Sequence, residues 1–384
     1  MKADTRFSLA DQLFNAGSVD QLVNRIRETQ PDFPGERFRV SVVEAFPTLK
    51  LKERITHIAD ELNNHLALPF PEALAVLLRA LPPELDPSLT DNDFGEFITA
   101  SFSAFVAKYG IGREHLELSL PAIREITKRF SAEYAIRDFL NSYPEETLKF
   151  LRECARDGNY HVRRLTSEGT RPSLPWGIGL HIDYHAPLEL LDLLFVDSTR
   201  FVTRSVANHL NDISKVDPEL VVEVLQRWRA TGGQTEAEMR YITEHALRTL
   251  VKQGHAGALA LLGFDDAPAI ELSDFSTDTP VVRVGEEFRF SLTLQSHREQ
   301  TLLIDYAVRF TGGGDGRGAR KVFKLKRVKA RTDEQVTIAR LHPMRLMTTR
   351  RLHEGEHQVT LLINGAEAGT LGFVLIAGDG TVGS

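Results

Sequence analysis

An internal repeat constrains this chain more than any other feature. A helix, link and helix unit begins at Pro144 (PEETLKFLRECARDGNYHVRRLTSEG), again at Pro187 (PLELLDLLFVDSTRFVTRSVANHLNDI) and again at Pro218 (PELVVEVLQRWRATGGQTEAEMRYITEHAL). A unit of about 40 residues built from two helices cannot bury its apolar face alone. It must stack on its neighbours, which predicts a HEAT-like solenoid whose second helices line one concave surface. In those second helices Arg164, Arg204 and Arg240 hold corresponding places, and Glu168, Asn208 and Glu244 follow four residues later. That spacing puts each pair on one helical face.

Helical periodicity runs from about residue 8 to 263, with Pro31, Pro69, Pro71, Pro82, Pro83 and Pro87 separating the early helices. The spacing predicts helices over 132–142, 160–168, 200–213 and 235–252, among others. From about residue 281 the period becomes two, in the runs VVRVGEEFRFSLTLQS, TLLIDYAVRF, RKVFKLKRVKA, EQVTIARLH, HQVTLLING and GTLGFVLIAG. Six short alternating runs with glycine-rich turns argue for a β-sandwich of immunoglobulin-like size. The expected fold is therefore an all-α HEAT-like helical solenoid over residues 1–266, a linker over 267–280 and an all-β immunoglobulin-like sandwich over 281–384.

The single cysteine, Cys154, excludes an internal disulfide and suits a reducing compartment. The opening MKADTRFSLADQLF lacks a signal-peptide apolar core, and no run of eighteen apolar residues exists to span a membrane. These features predict a soluble cytoplasmic protein; a monomer is expected. From residue 272 onward 16 Lys+Arg face 13 Asp+Glu, which leaves 30 against 40 for the helical remainder. An acidic helical region can hold DNA only through a concentrated basic patch.

Four segments, HVRRLTSEGTRPSLPW (161–176), SAEYAIRDFL (131–140), NHLNDISKVDPELV (208–221) and KVFKLKR (321–327), carry a family resemblance. Together they resemble the AlkC branch of the AlkC/AlkD-type DNA alkylation-repair glycosylases, HEAT-like proteins some of which append an immunoglobulin-like domain. The resemblance covers nearly the whole chain. It implies a monofunctional, cofactor-independent glycosylase that acts on double-stranded DNA containing alkylated bases. The substrates it implies are cationic methylated bases, 3-methyladenine and 3-methylcytosine above all, released without flipping into a pocket. Carried over by residue, Glu133 and Glu168 match the active-site carboxylates, Arg164 the nearby arginine and Trp176 the aromatic. Asp138 departs from the pattern, which has a proline there.

The residue types suit that chemistry. A base methylated at N3 is already cationic and leaves as a neutral molecule, while positive charge gathers on the sugar. A fixed carboxylate beside the sugar stabilises that charge and orients or deprotonates water. Arg164 could hold a phosphate or orient the carboxylate, and Trp176 could stack on a base or sugar edge. Blander roles compete: an Arg–Glu pair at i, i+4 commonly decorates a solvated helix, Glu133 could complement a helix start, and Trp176 could pack on the scaffold.

Arg163, Arg171, Arg200, Arg204, Asn208 and Asn211 recur on second-helix faces or their loops, as phosphate contacts or as inter-repeat bridges. Residues 317–331 hold eight Lys/Arg and no acid, with Lys324 and Lys326 on one strand face, either to meet DNA or to protect an edge strand. The HIDYH run at 181–185 imitates metal ligands but is short and loop-like, so no metal is expected. GGGDGRG at 312–318 reads as a hairpin turn, because it lacks the GK[ST] ending of a phosphate loop. Two other classes of function fit the same fold, a protein-binding scaffold and a module that binds damaged DNA without cutting it.

Overall fold

The computed structural model describes residues 8–86, 88, 95–312, 318–345 and 352–378. Pro87, Arg317 and most of the glycine run lie outside them. The helices follow in chain order as α1 (Leu9–Leu13), α2 (Ala16–Thr29), α3 (Gly35–Ala45), α4 (Leu51–Leu66), α5 (Phe70–Arg79), α6 (Ala100–Tyr109) and α7 (Leu116–Thr127). After them come α8 (Ala135–Ser142), α9 (Pro144–Cys154), α10 (Tyr160–Gly169), α11 (Leu188–Leu194), α12 (Arg200–Ile213), α13 (Pro218–Thr231), α14 (Glu236–Ala246), α15 (Arg248–Gln253) and α16 (Ala256–Leu261). The chain forms two compact units, residues 1–216 with 227–246, and residues 217–226 with 247–384.

In the first unit the second helices of successive repeats pack on one another, α10 on α12 and α12 on α14, as the repeat predicts. The links explain how the stacking is fixed. Asp157 and Asp197 occupy equivalent positions, each accepting a hydrogen bond from the backbone two residues on, at Asn159 and Thr199. Asn159 then caps α10 by accepting from the His161 N–H. Each link aspartate is gripped by an arginine of the preceding helix layer, Arg124 on Asp157 and Arg163 on Asp197. Apolar side chains fill the space between, with Phe139, Leu151, Val162, Leu165 and Leu190 fully buried. Cys154 is buried with them, and burial pushes its thiol up to about 12, so it packs as an apolar group.

The helix expected over 132–142 begins instead at Ala135. Residues 133–134 form a turn ahead of it, and Ser131 Oγ donates to Glu133 Oε2 at 2.8 Å. Glu133 therefore precedes α8, and does not sit in its first turn.

The second unit carries β1 (Ile270–Thr277), β2 (Val281–Arg283), β3 (Glu287–Ser296), β4 (Gln300–Arg309), β5 (Arg320–Ala330), β6 (Gln335–Pro343), β7 (Gly355–Ile363) and β8 (Ala366–Ile376). They form a three-stranded sheet, β1-β3-β6, and a five-stranded sheet, β2-β8-β7-β4-β5. Phe288, Phe290, Leu292 and Leu294 from β3 alternate inward against Tyr306, Val308, Leu361 and Phe373 of the other sheet. The first predicted run, 281–296, splits in two: Gly285 takes a positive φ of 104°, a corner that lets the chain leave one sheet at β2 and enter the other at β3. The expected linker over 267–280 is corrected in the same way, since Ile270–Thr277 is a strand paired antiparallel to β3.

Candidate active site

Two carboxylates meet on one guanidinium. Arg164, in the middle of α10, donates from Nη1 to Glu133 Oε2 at 2.8 Å, and its Nη2 lies 3.7 Å from Glu168 Oε2. Its guanidinium carbon sits 4.4 Å from the centre of the Phe201 ring on α12, which fixes the plane of the charged group. The close approach of α10 to α8 requires Gly169, where a Cβ would lie 2.4 Å from Ile136 Cγ2.

Glu168 is only 5 % exposed. A buried carboxylate stays ionised only if it is paired and hydrogen-bonded, and Glu168 has both kinds of partner. Its Oε1 accepts from Arg171 Nη1 at 2.6 Å, and its Oε2 accepts from Ser205 Oγ at 2.6 Å. Burial pushes the carboxyl up, but Arg164, Arg171 and Ser205 outweigh it and hold Glu168 below the usual carboxylate range. Arg171 is shared in turn with Asp212, whose Oδ2 accepts from Nε at 2.9 Å, and Asp212 also takes Lys215 Nζ at 2.9 Å. Glu133 stands nearer the solvent, with its side chain 15 % exposed. Burial and then the charges of Glu133 and Glu168 raise the pKa of the neighbouring Tyr134. Five charged side chains thus form one cluster in which three carboxylates outnumber two arginines, with Lys215 at its solvent edge.

Trp176 is held beside this cluster on the loop after α10. Its backbone is left-handed, with φ 63°, a conformation that costs a non-glycine residue about 1–2 kcal/mol. Lys52 Nζ donates to its carbonyl at 2.6 Å, and Tyr134 Oη donates to the Pro175 carbonyl. Buried Arg137 ties down the rest of the loop through the carbonyls of Gly169, Arg171 and Ile178. The indole itself is 66 % exposed.

The remaining sequence candidates separate. Arg171 is buried inside the carboxylate cluster and not at the surface. Arg163 forks onto Asp197 and Arg200 onto Glu238, both as bridges between repeats. Arg200 also lies 3.7 Å over the Tyr241 ring. Asn208 shares a hydrogen bond with His245 at 2.8 Å, Asn211 is buried, and Arg204 is half-buried on α12. Lys324 and Lys326, in the second unit, are exposed on β5, an outermost strand of its sheet. In the HIDYH run Asp183 pairs with His185, and among the described residues no three metal-ligating side chains converge. Among the described residues, no helix is long and apolar enough to cross a membrane.

Sequence reasoning missed Ser205, Asp212, Ser131 and Arg137. Ser205 lies on α12, which packs against α10, but the repeat register pairs it with Leu165 and not with Glu168, so its contact with Glu168 comes from the packing. The others carry no periodic signal.

Comparison with known proteins extends these observations. Residues 271–377 match the family described as "Uncharacterised protein YhaZ, C-terminal Ig-like domain". Over 366 residues the chain is 34% identical to the Bacillus subtilis (strain 168) protein YhaZ, covering 94% of this chain and 98% of that one. Among solved structures it is similar to the Pseudomonas fluorescens alkylpurine DNA glycosylase AlkC bound to DNA containing an abasic site analog. That similarity has a TM-score of 0.85 and 32% identity, over 97% of this chain and 100% of that chain.

Proposed function

The chain belongs to the AlkC and YhaZ family, and from that membership we propose that it is a monofunctional DNA glycosylase of base excision repair. Its proposed substrates are cationic N3-methylated bases in duplex DNA, 3-methyladenine and 3-methylcytosine, cleaved while the base remains in the helix. The observation that carries the reading is the pair of carboxylates, Glu133 and Glu168, locked by one arginine beside an exposed, strained tryptophan.

In the proposed reaction the C1′–N bond breaks with its electron pair moving to the base, which leaves neutral while the sugar becomes an oxocarbenium-like cation. Glu133, the more accessible carboxylate, faces that cation. Glu168 lies behind it and adds a second fixed negative charge through a medium of low dielectric. Water then adds at C1′ and gives its proton to the carboxylate. Arg164 would exchange part of its grip on Glu133 for a backbone phosphate when DNA arrives, which would free Glu133 toward the sugar. Trp176 is the stacking surface, Arg204 with Asn208 and Asn211 lie on the same helical layer, and Lys324 and Lys326 supply a second phosphate-binding patch.

Free-base release from methylated duplex DNA tests the assignment. Glu168→Gln should lower single-turnover release by ~10²–10³, with DNA binding retained, and Glu133→Gln should behave in the same direction. Equal release by Glu168→Gln and the parent would remove Glu168 from the mechanism. Binding without release by the parent would make the protein a damage-recognition module, and neither binding nor release would make it a scaffold.

A further inference from the structure

A cavity of about 380 Å³ opens next to the carboxylate pair, within the first unit. The aromatic rings of Phe97, Phe130, Tyr134 and Trp176 line it, together with Ser131 and Asp138. Its volume lies in the range of small-molecule sites, roughly 300–1,000 Å³. Its wall is continuous with the proposed active site, because Ser131 holds Glu133 through Oγ, and Trp176 borders both. Of the two lysines on its rim, Lys108 is engaged by Asp60, while Lys52 bonds the Trp176 carbonyl with its ammonium 5.8 Å from the centre of the Tyr134 ring.

Asp138 gives the cavity a carboxylate. The residue sits in the first turn of α8, half-buried, and burial raises its carboxyl pKa. The sequence puts this acid where the family pattern has proline, and catalysis as proposed above makes no use of it. A half-buried carboxylate in a cavity lined by aromatic rings matches a flat, neutral ring bearing an amino donor on its edge.

We propose that this cavity is an exit site for the released base, a free N-methylated purine stacked between Trp176 and Tyr134 with its exocyclic amine on Asp138. The inference rests on the glycosylase reading for the identity of the guest. It also gives a purpose to the strained backbone of Trp176, since strain held by a second contact, here Lys52, is a mark of a functional position. The base leaves the helix only after its bond to the sugar is broken, so cleavage within the stack and capture in the cavity are successive events.

The test uses the full chain without DNA and free 3-methyladenine as probe. Trp176 is exposed and the only other tryptophan, Trp228, is buried, so base binding should quench Trp176 fluorescence saturably while 2-deoxyribose should not. Ala104→Trp, which fills the cavity, should abolish the saturable binding measured by calorimetry, and Asp138→Leu should weaken it about tenfold or more. Trp176→Phe should remove the optical signal. Circular dichroism checks that each variant is folded; should Ala104→Trp fail to fold, Asp138→Leu carries the decision. Absence of saturable binding by the parent, or unchanged affinity in Asp138→Leu, overturns the exit site. Base release from DNA is scored separately: release without base binding sinks only the cavity, whereas binding of the base without release from DNA sinks the glycosylase reading.

Discussion

Replacing Arg171 with methionine isolates one of the groups that, with Arg164 and Ser205, keep Glu168 ionised. The substitution conserves most of the buried volume while removing the guanidinium that, alone among the described residues, touches both Glu168 and Asp212. Breaking one partner out of a buried ion pair costs about 3–5 kcal/mol. The lower end, about 3 kcal/mol, applies here, because Glu168 keeps Ser205 and Arg164 and Asp212 keeps Lys215. For a unit of this size that corresponds to a fall of roughly 6–12 °C in melting temperature. The second readout is the pH profile of single-turnover base release. With a folded pKa below the ordinary 4.5, Glu168 contributes stability above that ordinary value and loses it as pH falls through the folded one. Without Arg171 burial is less fully offset, so the pKa rises, and the acid limb of activity should move to higher pH. An acid limb at the parent's pH, with melting temperature unchanged within about 2 °C, would refute the claim that Arg171 sets the state of Glu168.

Three further outcomes follow from the same geometry. Trp176→Gly should be more stable than Trp176→Ala by about 1 kcal/mol, because only the alanine keeps the left-handed strain, while both lose base release; equal urea midpoints would deny the strain. His209, fully buried against the Ser167 carbonyl, has its pKa lowered by burial from 6.5 to about 4. It stays neutral in the fold, so its contribution is complete above pH 6.5 and fades toward pH 4, by roughly 3 kcal/mol in all; thermal melts of His209→Gln should lose that component, and an identical pH dependence would exclude it. Lys324→Ala with Lys326→Ala should flatten the slope of log affinity against log salt by roughly 1.8, if each lysine meets one phosphate; an unchanged slope would place both off the DNA.

Much of the architecture was legible because periodicity survives wherever one face is buried. The repeated arginine four residues before a polar partner located α10 and α12, and six alternating runs located most of the sandwich. Strand β1 escaped for a physical reason: a bulge between Leu272 and Asp274 shifts its alternation by one residue, so that Ile270 and Leu272 face the same way as Phe275. The site was half legible. Glu133, Glu168, Arg164 and Trp176 do come together, yet Arg171 looked like a surface cation and is buried. Only the neighbouring helix decides that, through Asp212 and Ser205, and pairing 37 to 41 residues apart leaves no trace in local pattern.

The inter-repeat stacking also limits how this site can be borrowed. Glu133 comes from the turn before α8, Arg164 and Glu168 from α10, and Ser205, Phe201 and Asp212 from α12, so no single motif holds the constellation. A chimera that transplanted α10 alone into another helical array would import Glu168 with Arg164 but leave behind Arg171 and Ser205, its two hydrogen-bond donors. Inserting or deleting a repeat within residues 131–213 would dismantle the reaction centre while leaving each helix pair able to stack. The grafting unit for engineering is therefore the whole three-layer block, and recombination within it should be lethal to function long before it is lethal to folding.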